Sequence, residues 1–315
     1  MNRAMPTVVS LFSGCGGSDI GLKQAGFQTI FANDVLPYAK DFYERNLNEG
    51  EFLLKDIQQI NSFPSSDLLV GCYPCQGFSQ GGARDADRKI NYLYRDFARA
   101  LNQIKPKAFV VENVSGMVRS NFAHLYRSQL YTFRRAGYKV TAQIINAADY
   151  GLPQERKRLF FVGIRSDFGV RYNFPEPTHG NNTSKPHASQ REYIGDLPEW
   201  PEGEFYNLDF HWYYLSRDRY RGWDQPSKTI VSNARHVPLH PMSPKLVKLK
   251  HDVWRFREDK PARRLSYVEA ARLQGFPKET VFPDTYGMNM RYTIIGNAVP
   301  PPIMKAIVEN MPNIW

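Results

Sequence analysis

This chain of 315 residues carries a net charge of +10 and contains only three cysteines, which excludes several classes of protein. So few cysteines exclude a small secreted fold held by disulfides and a zinc site built from four thiolates. No apolar run approaches the roughly 18 residues of a membrane span and no signal-peptide pattern is present, so we expect a cytoplasmic protein without membrane contact.

The chain begins with an apolar strand that ends in a glycine-rich turn. Residues 7–12 (TVVSLF) form the predicted strand, residues 13–17 (SGCGG) the turn, and helical periodicity follows. A second strand at residues 28–32 ends before Asp34, where a Rossmann-like unit holds ribose hydroxyls. Asp19 occupies the position of the third glycine in a dinucleotide fingerprint. The turn therefore suits a ligand such as adenosine with a cationic tail, and a plain tight turn fits equally well.

A third predicted strand, residues 67–71, leads into the sequence Cys72-Tyr73-Pro74-Cys75. A cysteine at the carboxyl end of such a strand lies where open α/β sheets bind ligands. Three interpretations compete: a structural thiol, a redox pair of Cys72 and Cys75, or Cys75 alone as a nucleophile. Pro74 and the Gly-rich loop at residues 76–89 favour exposure of Cys75, and that loop could close over a bound substrate.

Charged residues lie at the ends of two later strands. The strand at residues 108–111 delivers Glu112 towards the same cleft as Cys75, and Arg156 and Arg158 precede a strand at residues 159–164. Because the two arginines are two residues apart in an extended chain, both side chains would project from the same face. Further predicted elements are helices at 92–103, 125–136 and 266–274, the last with a Ser cap, and a strand at 139–146. This alternation predicts a parallel, doubly wound α/β sheet.

The composition changes after residue 173. Five prolines between residues 175 and 201 predict an irregular region. From His211 to Arg264 the chain carries 13 Lys or Arg against 5 Asp or Glu, interleaved with aromatic residues. This combination favours contact with a polyanion over a merely solvated face. We expect a catalytic domain of residues 1–173 and 287–315, and a smaller recognition domain of residues 174–286.

Taken together, these stretches resemble the cytosine-C5 DNA methyltransferases. Eight motifs occur in that family's order across nearly the whole chain: FSGCGG (12–17), ND (33–34), DI (56–57), PCQ (74–76), ENV (112–114), QERKR (154–158), RRLSYVEAARLQGFP (263–277) and GNAVP (296–300). Two positions depart from the pattern. Tyr73 stands where Phe or Pro is usual, and Asp34 stands where Glu is more common.

The resemblance implies a Rossmann-like, mostly parallel α/β sheet with a second, smaller, irregular β-rich domain. It implies Cys75 as the nucleophile after Pro74, Glu112 as the proton donor at cytosine N3, Arg158 at cytosine O2, and Arg156 at a loop or phosphate. The implied cofactor is S-adenosylmethionine, converted to S-adenosylhomocysteine, with no metal. Its predicted contacts are Phe12, Ser13, Gly14, Gly16, Gly17, Asp34, Val35, Asp56, Ile57, Pro74, Asn297 and Ala298.

A narrower resemblance concerns the basic segment. Residues 216–226 (SRDRYRGWDQP) and 232–241 look like the recognition region of bacterial methylases that modify GGCC. Arginine is the commonest bidentate reader of guanine. By that resemblance Arg217, Arg219 and Arg235 would read guanines in double-stranded DNA. Arg84 and Arg88 are predicted near phosphates, and Arg221 is a further predicted DNA contact. The target base would be extruded from the duplex. We expect a monomer, with a cognate restriction endonuclease that forms no stable complex with it.

Three alternatives stay open. An RNA cytosine-C5 methyltransferase of the same fold would use the same chemistry, although the Arg-rich segment favours duplex DNA, whose major groove can be read. A C-x-x-C oxidoreductase would depend on Cys72 as much as on Cys75. A binding-only repressor would keep the fold and bind DNA without turnover.

Overall fold

The apolar, β-branched runs of the sequence form the strands of one large sheet and one hairpin. The computed structural model describes residues 4–74, 89–119 and 122–315. The strands are β1 (Thr7–Leu11), β2 (Gln28–Asp34), β3 (Glu51–Leu54), β4 (Leu68–Gly71), β5 (Ala108–Val114), β6 (Tyr138–Asn146), β7 (Lys157–Arg165), β8 (Leu246–Lys250) and β9 (Val253–Phe256).

Helices alternate with the strands in the first half of the chain, as predicted. They are α1 (Gly17–Gln24), α2 (Pro37–Asn46), α3 (Tyr94–Ile104), α4 (Ala123–Arg135), α5 (Gln190–Ile194), α6 (Tyr267–Gln274), α7 (Met288–Asn297) and α8 (Pro301–Glu309). Helix α2 was not predicted, although Pro37 in its first turn is a known start signal. None of the helices in the described ranges combines the length and the hydrophobicity that crossing a bilayer requires.

The large sheet has the order β3-β2-β1-β4-β5-β7-β6 among the described residues. Strands β1 to β5 pair in parallel, whereas β7 runs antiparallel to β5. The predicted doubly wound, mostly parallel sheet is therefore confirmed. Its strand order reverses between β1 and β4, and open α/β sheets bind ligands beyond the carboxyl ends of the strands at such a point.

The chain divides into two compact units. The first unit contains the described residues up to Ile145, Lys157–Glu176 and Ile303–Trp315, and it holds the large sheet. The second unit contains Asn146–Arg156 and Pro177–Pro302. Turns and short helices make up most of its described part, and β8 and β9 form its hairpin. The predicted assignment of catalysis and cofactor binding to residues 1–173 and 287–315, and of DNA recognition to residues 174–286, stays a prediction.

A buried ion pair holds the second unit together internally. Arg263 donates from both Nη atoms to the carboxylate of Glu269, at 2.8 and 2.7 Å. Glu269 also accepts from the N–H of Ser266, in the capping box that begins α6. His240 lies 3.4 Å from Glu269, and burial together with Arg263 lowers the pKa of His240 to about 3. The imidazole is therefore neutral, and Arg263 alone balances the carboxylate.

A buried carboxylate joins four elements around the first turn of the chain. Asp19, in α1, accepts hydrogen bonds from the hydroxyls of Ser10 in β1 and Ser18 in α1, both at 3.0 Å. It also accepts from Thr29 in β2 at 3.1 Å and from Tyr43 in α2 at 3.2 Å. Asp19 is fully buried. The residue that breaks the dinucleotide fingerprint is thus a structural centre of this half of the sheet.

This centre makes stability depend on pH. Burial raises the pKa of Asp19 above its ordinary value of 3.8, although the four hydroxyls act in the opposite direction. The folded chain therefore holds this proton more tightly than the unfolded chain, and the stability that Asp19 contributes falls as pH rises from about 4 towards the folded pKa. We expect Asp19→Asn to remove this dependence in urea unfolding measured from roughly pH 2 to pH 8.

Asp67→Asn provides a control of opposite sign. Partial burial raises the pKa of Asp67, but hydrogen bonds from Lys107 and Thr7 outweigh it and lower the pKa overall. The stability that Asp67 contributes is therefore lost as pH falls below about 4. Parallel stability curves for the wild-type chain and Asp19→Asn would contradict the assigned role of Asp19.

Candidate active site

Strands β1 and β4 of the first unit end level with each other at the carboxyl edge of the sheet, beside β5, which continues to Val114. Leu11 of β1 pairs with Gly71 of β4, and Gly71 pairs with Val111 of β5. The residues that follow these partners are Phe12, Cys72 and Glu112. The strand order reverses between β1 and β4, so this edge is the expected ligand site of the sheet.

Glu112 forms an ion pair with Arg158 at this edge. The Nε of Arg158 lies 3.0 Å from Oε1 of Glu112, and the side chains are 19% and 12% exposed, respectively. Glu112 stands opposite Phe160 in the antiparallel pair β5–β7, so Arg158, two residues earlier, projects from the same face. Burial lowers the pKa of Arg158, whereas the neighbouring Glu112 raises it. An acid and a forked cation therefore lie together at the sheet edge.

The predicted nucleophile follows this edge in the sequence. Pro74 is the last described residue of the segment, and Cys75, Arg84 and Arg88 lie outside the described residues. Desolvation raises the pKa of the Cys72 thiol well above its ordinary value of 9.0, and the negative charge of Glu112 adds to the effect. A thiol with a raised pKa stays protonated at neutral pH, which disfavours Cys72 as a redox partner.

Asp34 joins the glycine turn to the end of β2. Its Oδ2 accepts from the N–H of Gly14 at 2.9 Å, and its Oδ1 accepts from the N–H of Val35 at 2.7 Å. Burial raises the pKa of Asp34, while these backbone bonds act to lower it. Phe12 and Gly14 have φ values of 54° and 53°. A positive φ costs free energy at Phe12, and such strain clusters at functional sites.

The turn fits a nucleoside. A Cβ added to Gly14 would meet nothing within 4 Å, so the turn is open there, and Val35 is 54% exposed. The carboxylate of Asp34 can accept from ribose hydroxyls, and an exposed apolar side chain can cover a base. Gly16 differs, because a Cβ there would lie 2.4 Å from Cδ1 of Leu47 at a φ of 77°. Glycine is therefore required at position 16 by packing and backbone conformation.

The other predicted cofactor residues of the first unit that the structure describes differ in exposure. Ser13 is buried, and its hydroxyl donates to a backbone carbonyl at 3.2 Å. Gly17 is the buried first residue of α1. Asp56 accepts from the N–H of Gln58 at 2.9 Å, and Ile57 is buried in the core. Ser13, Gly17 and Ile57 therefore shape the segments, whereas Asp56 presents a carboxylate.

Arg156 is anchored inside the second unit. Its guanidinium donates to the carbonyls of Ile230 at 3.0 Å, Gly296 at 2.9 Å and Ala298 at 3.0 Å, and the residue is 2% exposed. Arg158 lies on β7, whereas Arg156 precedes that strand. The predicted arginine pair thus has two different environments. The bonds of Arg156 favour a structural role over the predicted phosphate contact.

Gln154 is a buried residue without a predicted role. Its amide donates to the side chain of Gln274 at 2.7 Å, and Gln274 donates to the carbonyl of Ala298 at 2.7 Å. The carbonyl of Ala298 therefore accepts from Arg156 as well as from Gln274. Asn297, the last residue of α7, is exposed, whereas Ala298 is buried. The one sequence signal for Gln154 was its place in the QERKR motif.

Two of the predicted DNA-reading arginines are exposed. The Arg217 guanidinium lies over the ring of Tyr213, 6.0 Å from its centroid. Arg235 donates from Nε to the hydroxyl of Tyr206 at 2.8 Å. Each aromatic residue therefore supports an arginine that remains accessible.

The other two are more enclosed. Arg219 donates from Nε to the carbonyl of Tyr214 at 3.1 Å and from Nη1 to the carbonyl of His236 at 2.8 Å. Arg221 pairs with Glu155 at 3.2 Å. Arg219 thus holds two turns of the second unit together, and Arg221 is neutralised by an acidic neighbour.

The family of the chain is decided by similarity along its whole length. Residues 6–313 match the family model described as C-5 cytosine-specific DNA methylase. The chain belongs to this family. M.BspRI, a Type II methyltransferase of Lysinibacillus sphaericus, is 36% identical over 96% of this chain and 81% of its own length. M.BsuRI, a Type II methyltransferase of Bacillus subtilis, is 36% identical over 97% of this chain and 79% of its own.

The fold of this methylase is also found in solved structures. EhMeth, a methyltransferase of Entamoeba histolytica, superimposes with a TM-score of 0.73 at 17% identity, over 98% of each chain. The resemblance drawn from the eight motifs is confirmed, and the chain is a DNA cytosine-C5 methyltransferase. The roles of individual residues stay predictions.

The anchoring of Arg156 leads to a stability prediction. A lysine cannot reproduce the fork that reaches three carbonyls, so we expect Arg156→Lys to lower the free energy of unfolding by about 2 kcal/mol. Arg171→Lys, at an exposed position, should leave it unchanged. Urea unfolding monitored by tryptophan fluorescence measures both. An Arg156→Lys variant as stable as the wild type would contradict the structural role and favour the predicted phosphate contact.

Proposed function

We propose that this methylase methylates C5 of a cytosine extruded from duplex DNA, with Cys75 as a covalent nucleophile. The ion pair between Glu112 and Arg158 carries the proposal. It provides an acid and a forked cation at the edge from which the chain continues through Pro74 to Cys75. Cytosine offers matching groups, since N3 can take a proton and O2 can accept hydrogen bonds from a guanidinium.

Cys75 makes the pyrimidine reactive in this mechanism. Cytosine C5 alone is too weak a nucleophile to take a methyl group. A bond from the Cys75 sulfur to C6 moves electron density onto C5 and N3, and C5 becomes nucleophilic. After methylation C5 loses its proton, the sulfur–C6 bond breaks, and the aromatic ring and the free cysteine are restored. We assign acceptance of the C5 proton to a water molecule.

Glu112 and Arg158 stabilise the charge that develops on the ring. Glu112 shares a proton with N3 while the sulfur adds to C6. Arg158 orients the carboxyl group from 3.0 Å and holds cytosine O2. Both side chains are largely shielded from water, which strengthens their electrostatic effect at the transition state. Arg156, by contrast, acts through the packing of the second unit.

S-adenosylmethionine would supply the methyl group and leave as S-adenosylhomocysteine. The residues proposed to hold it are those of the glycine turn. Asp34 would accept from the ribose hydroxyls, Val35 would cover the base, and Gly14 would allow close approach. The ring of Phe12 would lie near the sulfonium, since aromatic faces attract cations. Asn297 and Ala298 stay predicted contacts.

Arg217 and Arg235 are the proposed guanine readers, because both are exposed and a guanidinium recognises O6 and N7 of guanine. Arg219 is the third proposed guanine reader. Its guanidinium is already oriented by hydrogen bonds to two backbone carbonyls. The proposed target is a GGCC-like site, from the resemblance of residues 216–226 and 232–241. Arg84 and Arg88 stay predicted phosphate contacts, and Arg221 a predicted DNA contact.

The hairpin of the second unit adds a basic surface to these readers. Lys248, Lys250, Arg255 and Arg257 are exposed, and none forms an ion pair with another described residue. Trp254 and Phe256 of the hairpin pack against the buried cluster that contains Tyr214. We propose that the four cations contact phosphates, which contributes affinity without reading sequence.

The same proposal places this methylase in a cytoplasmic Type II restriction-modification system, as a monomer that meets its endonuclease on DNA and not in a stable complex. The names of M.BspRI and M.BsuRI, both Type II methyltransferases, support the assignment. Duplex DNA is favoured over RNA as the substrate because the exposed arginines suit a major groove, which is not readable in RNA helices.

Covalent trapping tests the function directly. With S-adenosylmethionine and a duplex that carries 5-fluorocytosine at its target, the chain should form a complex that survives a denaturing gel, because fluorine cannot leave C5 as a proton does. Cys75→Ser should abolish the complex, Cys72→Ser should retain it, and Glu112→Gln should slow its formation by about 100-fold. Bisulfite sequencing of DNA from expressing cells identifies the target to be synthesised.

Two outcomes would overturn this assignment. Methyl transfer to DNA without the trapped complex would exclude the covalent route through Cys75. Tritiated methyl label that appears in transfer RNA and not in duplex DNA would show that the substrate is RNA and not DNA.

The hairpin surface leads to a prediction about salt. Replacing Lys248, Lys250, Arg255 and Arg257 together by Gln should make the plot of log affinity against log salt concentration shallower by about 0.9 for each phosphate that is no longer neutralised. The ratio of affinities for target and non-target DNA should stay unchanged, because the readers of the bases are intact.

A variant with the same change in net charge is the control. Arg127, Arg134, Arg135 and Arg171 are exposed residues of the first unit. Their joint replacement by Gln should leave the salt slope close to that of the wild type. Equal slopes for the two quadruple variants would refute a specific role of the hairpin.

A further inference from the structure

Tyr73, which departs from the family's usual Phe or Pro, makes a buried hydrogen bond through its distinguishing hydroxyl. The hydroxyl donates to Oε1 of Gln129 at 2.6 Å, and the residues are 2% and 0% exposed. The Tyr73 ring meets that of Phe12 edge-on, with centroids 5.8 Å apart. Phenylalanine at position 73 would keep the ring contact and leave Gln129 without this donor. The hydroxyl is therefore a specific polar link inside an aromatic core.

Gln129 extends this link towards Glu112. Its amide donates to the sulfur of Met117 at 3.5 Å, and Met117 is fully buried. Met117 lies in the turn Ser115–Val118, which directly follows β5 and its residue Glu112. A single side chain of α4 therefore connects the residue before Pro74 to the turn after Glu112.

We propose that Tyr73 and Gln129 are positioning residues that fix the Pro74 end of β4 relative to Glu112 and Phe12. This role rests on the proposed function, because those three segments lead to the nucleophile, the acid and the cofactor. The hydrogen bond has one geometry, whereas the apolar contacts of the same core tolerate small displacements. A misplacement of 1 Å between reacting groups costs about 100-fold in rate, so the smaller shift after losing one hydroxyl should cost about tenfold.

Tyr73→Phe tests the link with the smallest change. We expect about tenfold slower trapping on the 5-fluorocytosine duplex and a kcat lower by a similar factor. The KM for S-adenosylmethionine and the Kd for DNA should change by less than about twofold, because the binding residues are not altered. A loss confined to kcat and the trapping rate is the signature of positioning.

Tyr138→Phe is the matched control. The Tyr138 hydroxyl also donates inside the core of the first unit, to the carbonyl of Pro106 at 2.8 Å. Pro106 lies at the opposite end of β5 from Glu112. Both variants should show a similar decrease in Tm, and only Tyr73→Phe should slow trapping when both are assayed well below their Tm.

Gln129→Met and the double variant test whether the two side chains act as one unit. Gln129→Met should slow trapping as Tyr73→Phe does. The double variant should be no slower than either single variant, because removing both partners leaves no unpaired acceptor and the second substitution has nothing further to disrupt. Multiplying effects in the double variant would overturn the proposal.

The outcomes separate this proposal from the function on which it rests. A wild-type chain that forms no trapped complex overturns both. A wild-type chain that forms the complex at a rate within twofold of Tyr73→Phe overturns the positioning role alone. Equal slowing by Tyr73→Phe and Tyr138→Phe also overturns it, since the effect would then follow from a weakened core.

Discussion

The parallel register of β1, β4 and β5 sets where the chemistry of this methylase can occur. Leu11, Gly71 and Val111 lie side by side, so β1 and β4 end at neighbouring points of one edge and Glu112 of β5 follows directly beside them. The antiparallel pairing of β7 with β5 brings Arg158 to Glu112 at the same edge. A sheet is stiff in the direction of its hydrogen bonds, which is why reacting groups placed at strand ends can be held within fractions of an ångström.

Arginine serves opposite purposes in different parts of the chain. Arg156 and Arg263 are almost fully buried and satisfy carbonyls or a carboxylate inside the second unit. Such buried cations are costly to leave unpaired, so their value lies in fixing one arrangement of irregular backbone. Arg217 and Arg235 are exposed beside aromatic rings. In a unit with little regular structure, these buried arginines cross-link backbone segments that no large sheet holds together.

Much of the first unit could be predicted from sequence, because its strands and helices have periodic patterns of apolar residues. The glycine turn is also visible as a short local motif. The bond between Glu112 and Arg158 could not, since it depends on the antiparallel register of β5 and β7. The surroundings of Arg156 were missed for a similar reason, because its partners lie 74 to 142 residues away. Tyr73 was visible as a departure from the motif, but its partner Gln129, 56 residues on, was not.

The cluster around Asp19 has a consequence for how the chain folds during its synthesis. Its four hydroxyl donors are separated from it by no more than 24 residues. Contacts between nearby residues close small loops and form quickly. This cluster can therefore assemble while the ribosome is still adding the segments that carry Glu112 and Arg158. The Asp19 cluster beside the glycine turn would then serve as a folding nucleus on which the later strands of the sheet assemble.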